Sequence, residues 1–168
     1  MHITNAVPLL LLALCVPAHA TDLGNHAKVG ALLGRECDDA TQALLAGFAS
    51  HIALDYVIYG TTLYSDGDMY NSDYLVPTLA INILQFRQVY KQYKLTKDTK
   101  LLHGALGAIL PDLVDMVYHG LLDKEGYVFG WHGRRSTLLI DEPPNLHSSR
   151  KAAQYNLLIG ATLWSVKF

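Results

Sequence analysis

Two long apolar stretches of this sequence carry ionisable side chains in their middle, and this combination limits what the chain can fold into. The stretch 40–63 contains His51 and Asp55, and the stretch 101–118 contains Asp112. A charged side chain inside a bilayer is costly and faces a protein interior or a cavity. We therefore expect both stretches to form central helices that are buried in a small bundle, in preference to membrane spans.

Start and stop signals along the chain indicate about five helices joined by polar loops, so we predict an all-α fold, a compact helical bundle. Asp38 and Asp39 are suitable N-caps for the second helix, and Pro77 falls in the first turn of the third. Pro111 is expected to interrupt the fourth helix. Strand signals are weak, and 136–140 is the single candidate. The predicted helices cover 23–33, 40–63, 74–93, 100–122 and 146–166.

The first twenty residues are predicted to be a secretory signal peptide that precedes one domain, 21–168. The apolar run 7–16 has the length of a signal-peptide core, and Ala18 and Ala20 match the small residues of a cleavage site. This predicts a secreted or periplasmic protein. The segment before the run contains no Lys or Arg, so a membrane location, with the run as part of a first span, stays open as the alternative.

Composition excludes some classes of protein and leaves others open. Hydrophobic residues make up 51% of the 168 residues and charged residues 17%, which excludes an intrinsically disordered chain. The formal net charge is −2, so the basic excess of a nucleic-acid-binding protein is missing and we expect no stable nucleic-acid partner. A mean hydropathy of +0.17 leaves association with a membrane surface open.

The first candidate for chemistry is the pair formed by His51 and Asp55. Residues four apart lie on one face of a helix, so the imidazole and the carboxylate can reach one metal ion. The alternative is a neutral His that is hydrogen-bonded to Asp. The residues around the pair are almost wholly apolar, and a buried ionised Asp needs a partner or a metal.

The second candidate group follows on the fourth predicted helix and comprises His103, Asp112, Asp115 and His119. Asp115 and His119 are four residues apart and Asp112 and His119 seven apart, so all three share overlapping faces. The alternative for Asp112 is a capping role in the first turn after Pro111, where a carboxylate complements the helix dipole.

Two further segments carry histidine. The run from His26 to Gly34 parallels the run from His103 to Pro111, since both read H-x-x-x-G-A-(L/I)-L-(G/P). Gly and Ala at this spacing permit close helix packing, and the His one turn before the Gly would share that face. Residues 131–137 place a histidine beside two arginines and two hydroxyls, which suits an anion such as phosphate, although a solvated loop would have the same composition.

Three segments together resemble the membrane-bound metal-dependent hydrolase family and, more distantly, the zinc-dependent phospholipase C group. They are His103-Gly-Ala-Leu-Gly-Ala-Ile-Leu-Pro-Asp112, Ser50-His-Ile-Ala-Leu-Asp55 and His132-Gly-Arg-Arg-Ser-Thr137. The resemblance implies an all-α bundle that binds divalent metal through His103, Asp112, His132, His51 and Asp55. In that family a segment ending in Pro-Asp comes before an H-x-x-x-D segment. Here the H-x-x-x-D segment, His51 to Asp55, precedes Pro111-Asp112, so the resemblance implies a permuted relative. A second alignment takes His26 as the leading His and then lacks the P-D element.

These observations favour a metal-dependent hydrolase that acts on phosphoesters, with zinc as the expected metal and a small molecule or a phospholipid as the substrate. Asp115 would orient the attacking water, and Arg134 and Arg135 would stabilise the developing charge. The alternative is a non-catalytic helical envelope protein with structural His/Asp pairs and a Tyr-rich binding surface. The full set of candidate metal ligands is His26, His51, Asp55, His103, Asp112, His119 and His132.

Overall fold

The computed structural model describes residues 23–55, 72–118, 122, 128, 129 and 157–168. These residues form five helices and no strand, which confirms the predicted all-α bundle. None of the described helices is both long enough and apolar enough to cross a membrane. The helices are α1 (Leu23–Gly34), α2 (Ala40–Leu54), α3 (Ser72–Thr96), α4 (Thr99–Met116) and α5 (157–165).

The described helices alternate in direction along the chain. Helix α4 packs against α1 and α2, and α3 packs mainly against α1. Gly30 and Gly34 of α1 meet residues 104–108 and 100–104 of α4, in that order, so these two helices are antiparallel. Gly24 and Lys28 of α1 contact Asn82 and Gln88 of α3, so α1 and α3 run in the same direction. The start of α1 consequently lies at the same end of the bundle as the last turns of α2 and α4.

Capping residues set where α2 and α4 begin. Asp39 has extended backbone angles, and its side chain accepts a hydrogen bond from the N–H of Gln42 at 2.9 Å, which confirms the predicted N-cap. Asp98 caps α4 in the same way by accepting from the N–H of Lys100 at 3.0 Å. Between α3 and α4 the chain turns sharply at Lys97, whose φ is 57°.

Both prolines that affect the predicted helix pattern lie inside helices. Pro111 does not interrupt α4, which continues to Met116, so the predicted break is wrong. The Pro111 ring is fully buried, and packing against neighbouring helices outweighs the one backbone hydrogen bond that proline removes. Helix α3 begins at Ser72, two residues before the predicted start, so Pro77 lies in its second turn and not in its first. The predictions for 1–20, 136–140 and 146–156 fall outside the described residues.

Glycine lets α1, α2 and α4 approach until their backbones almost touch. A Cβ atom added to Gly104 would lie 2.1 Å from the carbonyl oxygen of Gly30, and one added to Gly47 would lie 2.0 Å from the carbonyl oxygen of Gly104. Most of the fully buried apolar residues of these helices are alanines, among them Ala27 and Ala108. The close packing predicted for the Gly/Ala segments is thus observed. It brings His26, one turn before Gly30, into contact with His51, one turn after Gly47.

Candidate metal centre

Three side chains from α1 and α2 converge at one end of the bundle. Nε2 of His26 lies 3.3 Å from Oδ1 of Asp55, and Nε2 of His51 lies 3.0 Å from Oδ2 of the same carboxylate. One ligand atom from each of the three residues falls within 4.8 Å of the others, so the group could hold a metal ion.

The geometry of α2 explains why His51 and Asp55 face the same way. The backbone N–H of Asp55 still bonds to the carbonyls of His51 and Ile52, and its φ and ψ are helical at −62° and −42°. The two side chains are therefore four residues apart on a continuous helix, as the sequence predicts. His26 joins them because the start of the antiparallel α1 lies beside the end of α2.

The group is buried on the histidine side and partly open on the carboxylate side. His26 and His51 are both 0% exposed, whereas the Asp55 side chain is 15% exposed. The two imidazole rings are in contact, with centroids 4.2 Å apart and planes inclined by 31°. Any ion or small molecule that reaches the nitrogens would approach beside Asp55.

A backbone carbonyl fixes the orientation of the His51 ring. Nδ1 of His51 lies 2.7 Å from the carbonyl oxygen of Ala108 on α4. A carbonyl oxygen only accepts hydrogen bonds, so Nδ1 must carry the hydrogen and donate it. In a neutral imidazole the lone pair then resides on Nε2, the atom that faces Asp55.

This arrangement requires a proton or a cation between His51 and Asp55. A lone pair on Nε2 that faces a carboxylate oxygen at 3.0 Å is repulsive unless a proton or a cation lies between the two atoms. Ligand atoms at about 2.0–2.1 Å from a tetrahedral zinc ion are separated by about 3.3 Å. The observed separations of 3.0 and 3.3 Å, each to a different oxygen of Asp55, are close to that value and to hydrogen-bond lengths, so the cluster could hold a metal ion or form hydrogen-bonded pairs.

His103 lies outside this group, contrary to the sequence interpretation that placed it with Asp112. Because α4 is continuous through Pro111, the nine helical steps from His103 to Asp112 turn the helix by about 900°, which places the two residues on opposite faces. Nδ1 of His103 donates to the carbonyl of Thr99 on its own helix at 2.8 Å, and the side chain is half-buried. The sequence does not predict these opposite faces, because it predicts a break of the helix at Pro111.

Asp112 lies beside the group and not among its three members. Its Oδ2 atom is 3.8 Å from Nδ1 of His51, whereas Asp55 faces Nε2 of the same ring. The two nitrogens of an imidazole point in diverging directions, so the two carboxylates flank His51 on different sides. Asp112 therefore lies next to the nitrogen of His51 that points away from Asp55, although the sequence predicts Asp112 as a ligand.

Asp115 has a structural contact that its predicted catalytic role did not anticipate. Its carboxylate accepts a hydrogen bond from the backbone N–H of Val128 at 2.7 Å, and the residue is buried. The neighbouring Phe129 packs edge-on against Phe48 of α2. Asp115 thus holds this short segment against α4. The remaining predicted site residues, His119, His132, Arg134 and Arg135, lie outside the described part of the chain.

A second buried polar group, which the sequence does not indicate, lies between α1, α3 and the end of the chain. The amine of Lys28 is fully buried, donates to Gln88 and to the carbonyl of Val166 at 3.1 Å, and sits 4.0 Å above the ring of Phe168. Burial, and secondly the positive charge of Arg35, lowers the pKa of Lys28 to about 8. These contacts attach the segment after α5 to α1.

Comparison of the chain with family models, with curated proteins and with solved structures found no match. The resemblance to the metal-dependent hydrolases therefore stays a prediction.

Proposed function

We propose that this protein binds a divalent metal ion, zinc in the first place, through His26, His51 and Asp55, and that it is a metal-dependent hydrolase. The observation that carries the proposal is the convergence of two buried imidazole nitrogens on the two oxygens of one carboxylate. The hydrogen bond from His51 to Ala108 supports it, because it turns the lone pair of Nε2 toward the same point.

Among the described residues, three side chains offer a ligand atom to this point, which is the number found in reactive zinc sites. Structural zinc sites are closed by four protein ligands, whereas catalytic sites use three and keep a position for water or substrate. Two histidines and one carboxylate are a known catalytic set. A metal bound there would lower the pKa of its water and polarise a substrate oxygen.

The chain's own residues would hold the ion, exclude bulk water and define the direction of access. The two fully buried histidines close the inner side, and a low local dielectric strengthens electrostatic interactions there. Substrate would enter on the partly exposed Asp55 side. A phosphoester substrate is the class that the sequence favours, through the predicted anion site at Arg134 and Arg135.

Metal content is the direct test of the proposed ligand set. The full chain is purified without chelator and without affinity nickel, and bound metal is measured by elemental mass spectrometry. We expect about one equivalent in the wild-type protein and in His103→Ala, and loss of the metal in His26→Ala and His51→Ala. The His103 variant is the matched control, because it removes a histidine that the structure places elsewhere.

Two results would contradict the proposed ligand set. A folded wild-type protein that takes up no metal from a panel of Zn²⁺, Mn²⁺, Fe²⁺ and Co²⁺ would rule out the site. Retention of metal in His26→Ala together with its loss in His103→Ala would favour the ligand set implied by the family resemblance.

Catalysis is tested separately on the metal-loaded protein. Phosphomonoester, phosphodiester and phospholipid substrates are compared, and turnover is expected to fall to background in Asp55→Ala and on removal of the metal. A metal-loaded protein that turns over none of these substrates would retain the metal site but contradict the phosphoester activity.

One observation favours a second candidate function, a non-catalytic helical protein whose His/Asp pairs are structural. Both histidines are completely buried in a tightly packed interior, as expected of residues that only hold helices together. In that case a hydrogen bond between Nε2 of His51 and Asp55 would take the place of the metal. The metal measurement separates the two candidates, because this one predicts a folded protein without bound metal.

A further inference from the structure

We infer that Asp112 is a positioning residue of the metal site, which rests on the proposed function: its carboxylate lies behind His51 and strengthens the binding of a cation at Nε2 of that ring. This role is additional to those of the three ligands.

Ala108 and Asp112 of α4 both face the same nitrogen of His51. Nδ1 of His51 donates to the Ala108 carbonyl at 2.7 Å, and Oδ2 of Asp112 lies 3.8 Å from that same nitrogen. Ala108 and Asp112 are four residues apart on α4, so they lie on one face of this continuous helix. The same turn of α4 thus presents a carbonyl dipole and a carboxylate to the rear of the His51 ring.

Two carboxylates of the described residues flank the His51 ring. Asp55 lies 3.0 Å from Nε2 and Asp112 lies 3.8 Å from Nδ1. The Asp112 side chain is only 4% exposed, so water screens it little. A carboxylate behind the ring favours a cation in front of it.

Ligating histidines in metal sites donate their second N–H to a carbonyl or a carboxylate, which fixes the tautomer and raises the basicity of the ligating nitrogen. In this chain the carbonyl of Ala108 fixes the tautomer by accepting the hydrogen bond from His51. Asp112 raises the basicity electrostatically, because its negative charge near Nδ1 stabilises the partial positive charge that the ring acquires when Nε2 donates its lone pair.

The test compares metal affinity in variants that differ by one charge. Co²⁺ is titrated into the wild-type chain, Asp112→Asn and Asp98→Asn, and its binding is followed by visible absorption. Asp112→Asn keeps the shape of the side chain and is expected to weaken Co²⁺ binding by about 10–100-fold. Asp98→Asn removes the same charge from the start of the same helix, about 21 Å away, and is expected to leave the affinity unchanged, since Asn is an equally good N-cap.

A readout specific to the metal separates positioning from general destabilisation. The visible Co²⁺ spectrum of the saturated Asp112→Asn variant is expected to shift, because the donor strength of His51 changes, while far-ultraviolet circular dichroism stays as in the wild type. Asp112→Glu, which restores the charge, is expected to bind more tightly than Asp112→Asn. If Asp112→Asn does not fold, Asp112→Ser, which also removes the charge, takes its place.

Each outcome decides between distinct statements. Equal Co²⁺ affinities in the wild type and the folded charge-removing variant would overturn the role of Asp112 and leave the metal site intact. Equal weakening in Asp112→Asn and Asp112→Glu would also overturn it, because charge would then not be the cause. Absence of Co²⁺ binding in the wild type would instead refute the proposed function, and the inference with it.

Discussion

Replacing Gly104 with alanine tests the central claim about the fold, that α1, α2 and α4 touch through their backbones. An added Cβ would lie 2.1 Å from the carbonyl oxygen of Gly30 and 2.9 Å from Cα of Gly34, whereas ordinary contacts begin at about 3.4 Å. The obstructing atoms belong to the backbone of α1. The two helices would therefore have to separate by about 1.3 Å, the difference between 3.4 and 2.1 Å.

The expected cost follows from two opposing effects. Overpacking a tight interior costs about 1–3 kcal/mol, while alanine gains up to about 1 kcal/mol over glycine in helix propensity. Because the collision is with backbone, we expect the first effect to be at the upper end of its range and the net loss to be about 2 kcal/mol. For a domain of this size that corresponds to a fall in Tm of about 4–8 °C.

The assay is thermal unfolding followed by circular dichroism, with Gly160→Ala as the matched control. The Cβ of that variant would meet side-chain atoms of Ile81 and Asn25, at 2.3 and 3.1 Å, which can rotate away at lower cost than a backbone can move. The Tm of Gly104→Ala is therefore expected to fall further. A Gly104→Ala variant as stable as the wild type, or more stable, would show the helix propensity gain alone and would refute the contact between α1 and α4.

Three further predictions concern charge, capping and metal. The pKa of Lys28 is lowered from 10.5 to about 8, so between these pH values the unfolded chain holds a proton that the folded chain has released. The unfolding free energy of the wild type, measured by urea denaturation relative to Lys28→Met, should therefore rise by at most about 3 kcal/mol from pH 8 to 10.5 and fall again as pH is lowered through 8. An equal pH dependence of the two proteins across that range would contradict this. Asp39→Ala should cost about 1 kcal/mol in the same assay because it removes the N-cap of α2, whereas Asp39→Asn should cost little, and equal losses would refute the capping role. Zinc at a free concentration one hundred times its Kd should raise the unfolding free energy by about 2.7 kcal/mol in the wild type, and an equal rise in His51→Ala would place the zinc elsewhere.

Local chemistry made much of the fold predictable from the sequence. Asp39 starts α2 because its side chain can satisfy a free N–H of the first turn, and this needs only neighbouring residues. The prediction for α4 failed at Pro111 because burial of the ring and packing on α1 and α2 decide whether a helix tolerates proline. Such packing joins residues that are far apart in the chain, so the sequence around Pro111 does not indicate it.

The residues of the candidate site also differ in whether local sequence or tertiary packing determines them. The sequence alone determined that His51 and Asp55 share one face, because four residues of helix complete about one turn. It offered His26 and His103 through the same motif, and the family resemblance favoured His103. Only the tertiary structure decided between them, because the antiparallel approach of α1 brings His26 to Asp55 while the unbroken α4 turns His103 away. The carbonyl of Ala108 could not be predicted at all, since every residue has one and only the packing of α4 on α2 brings it to His51.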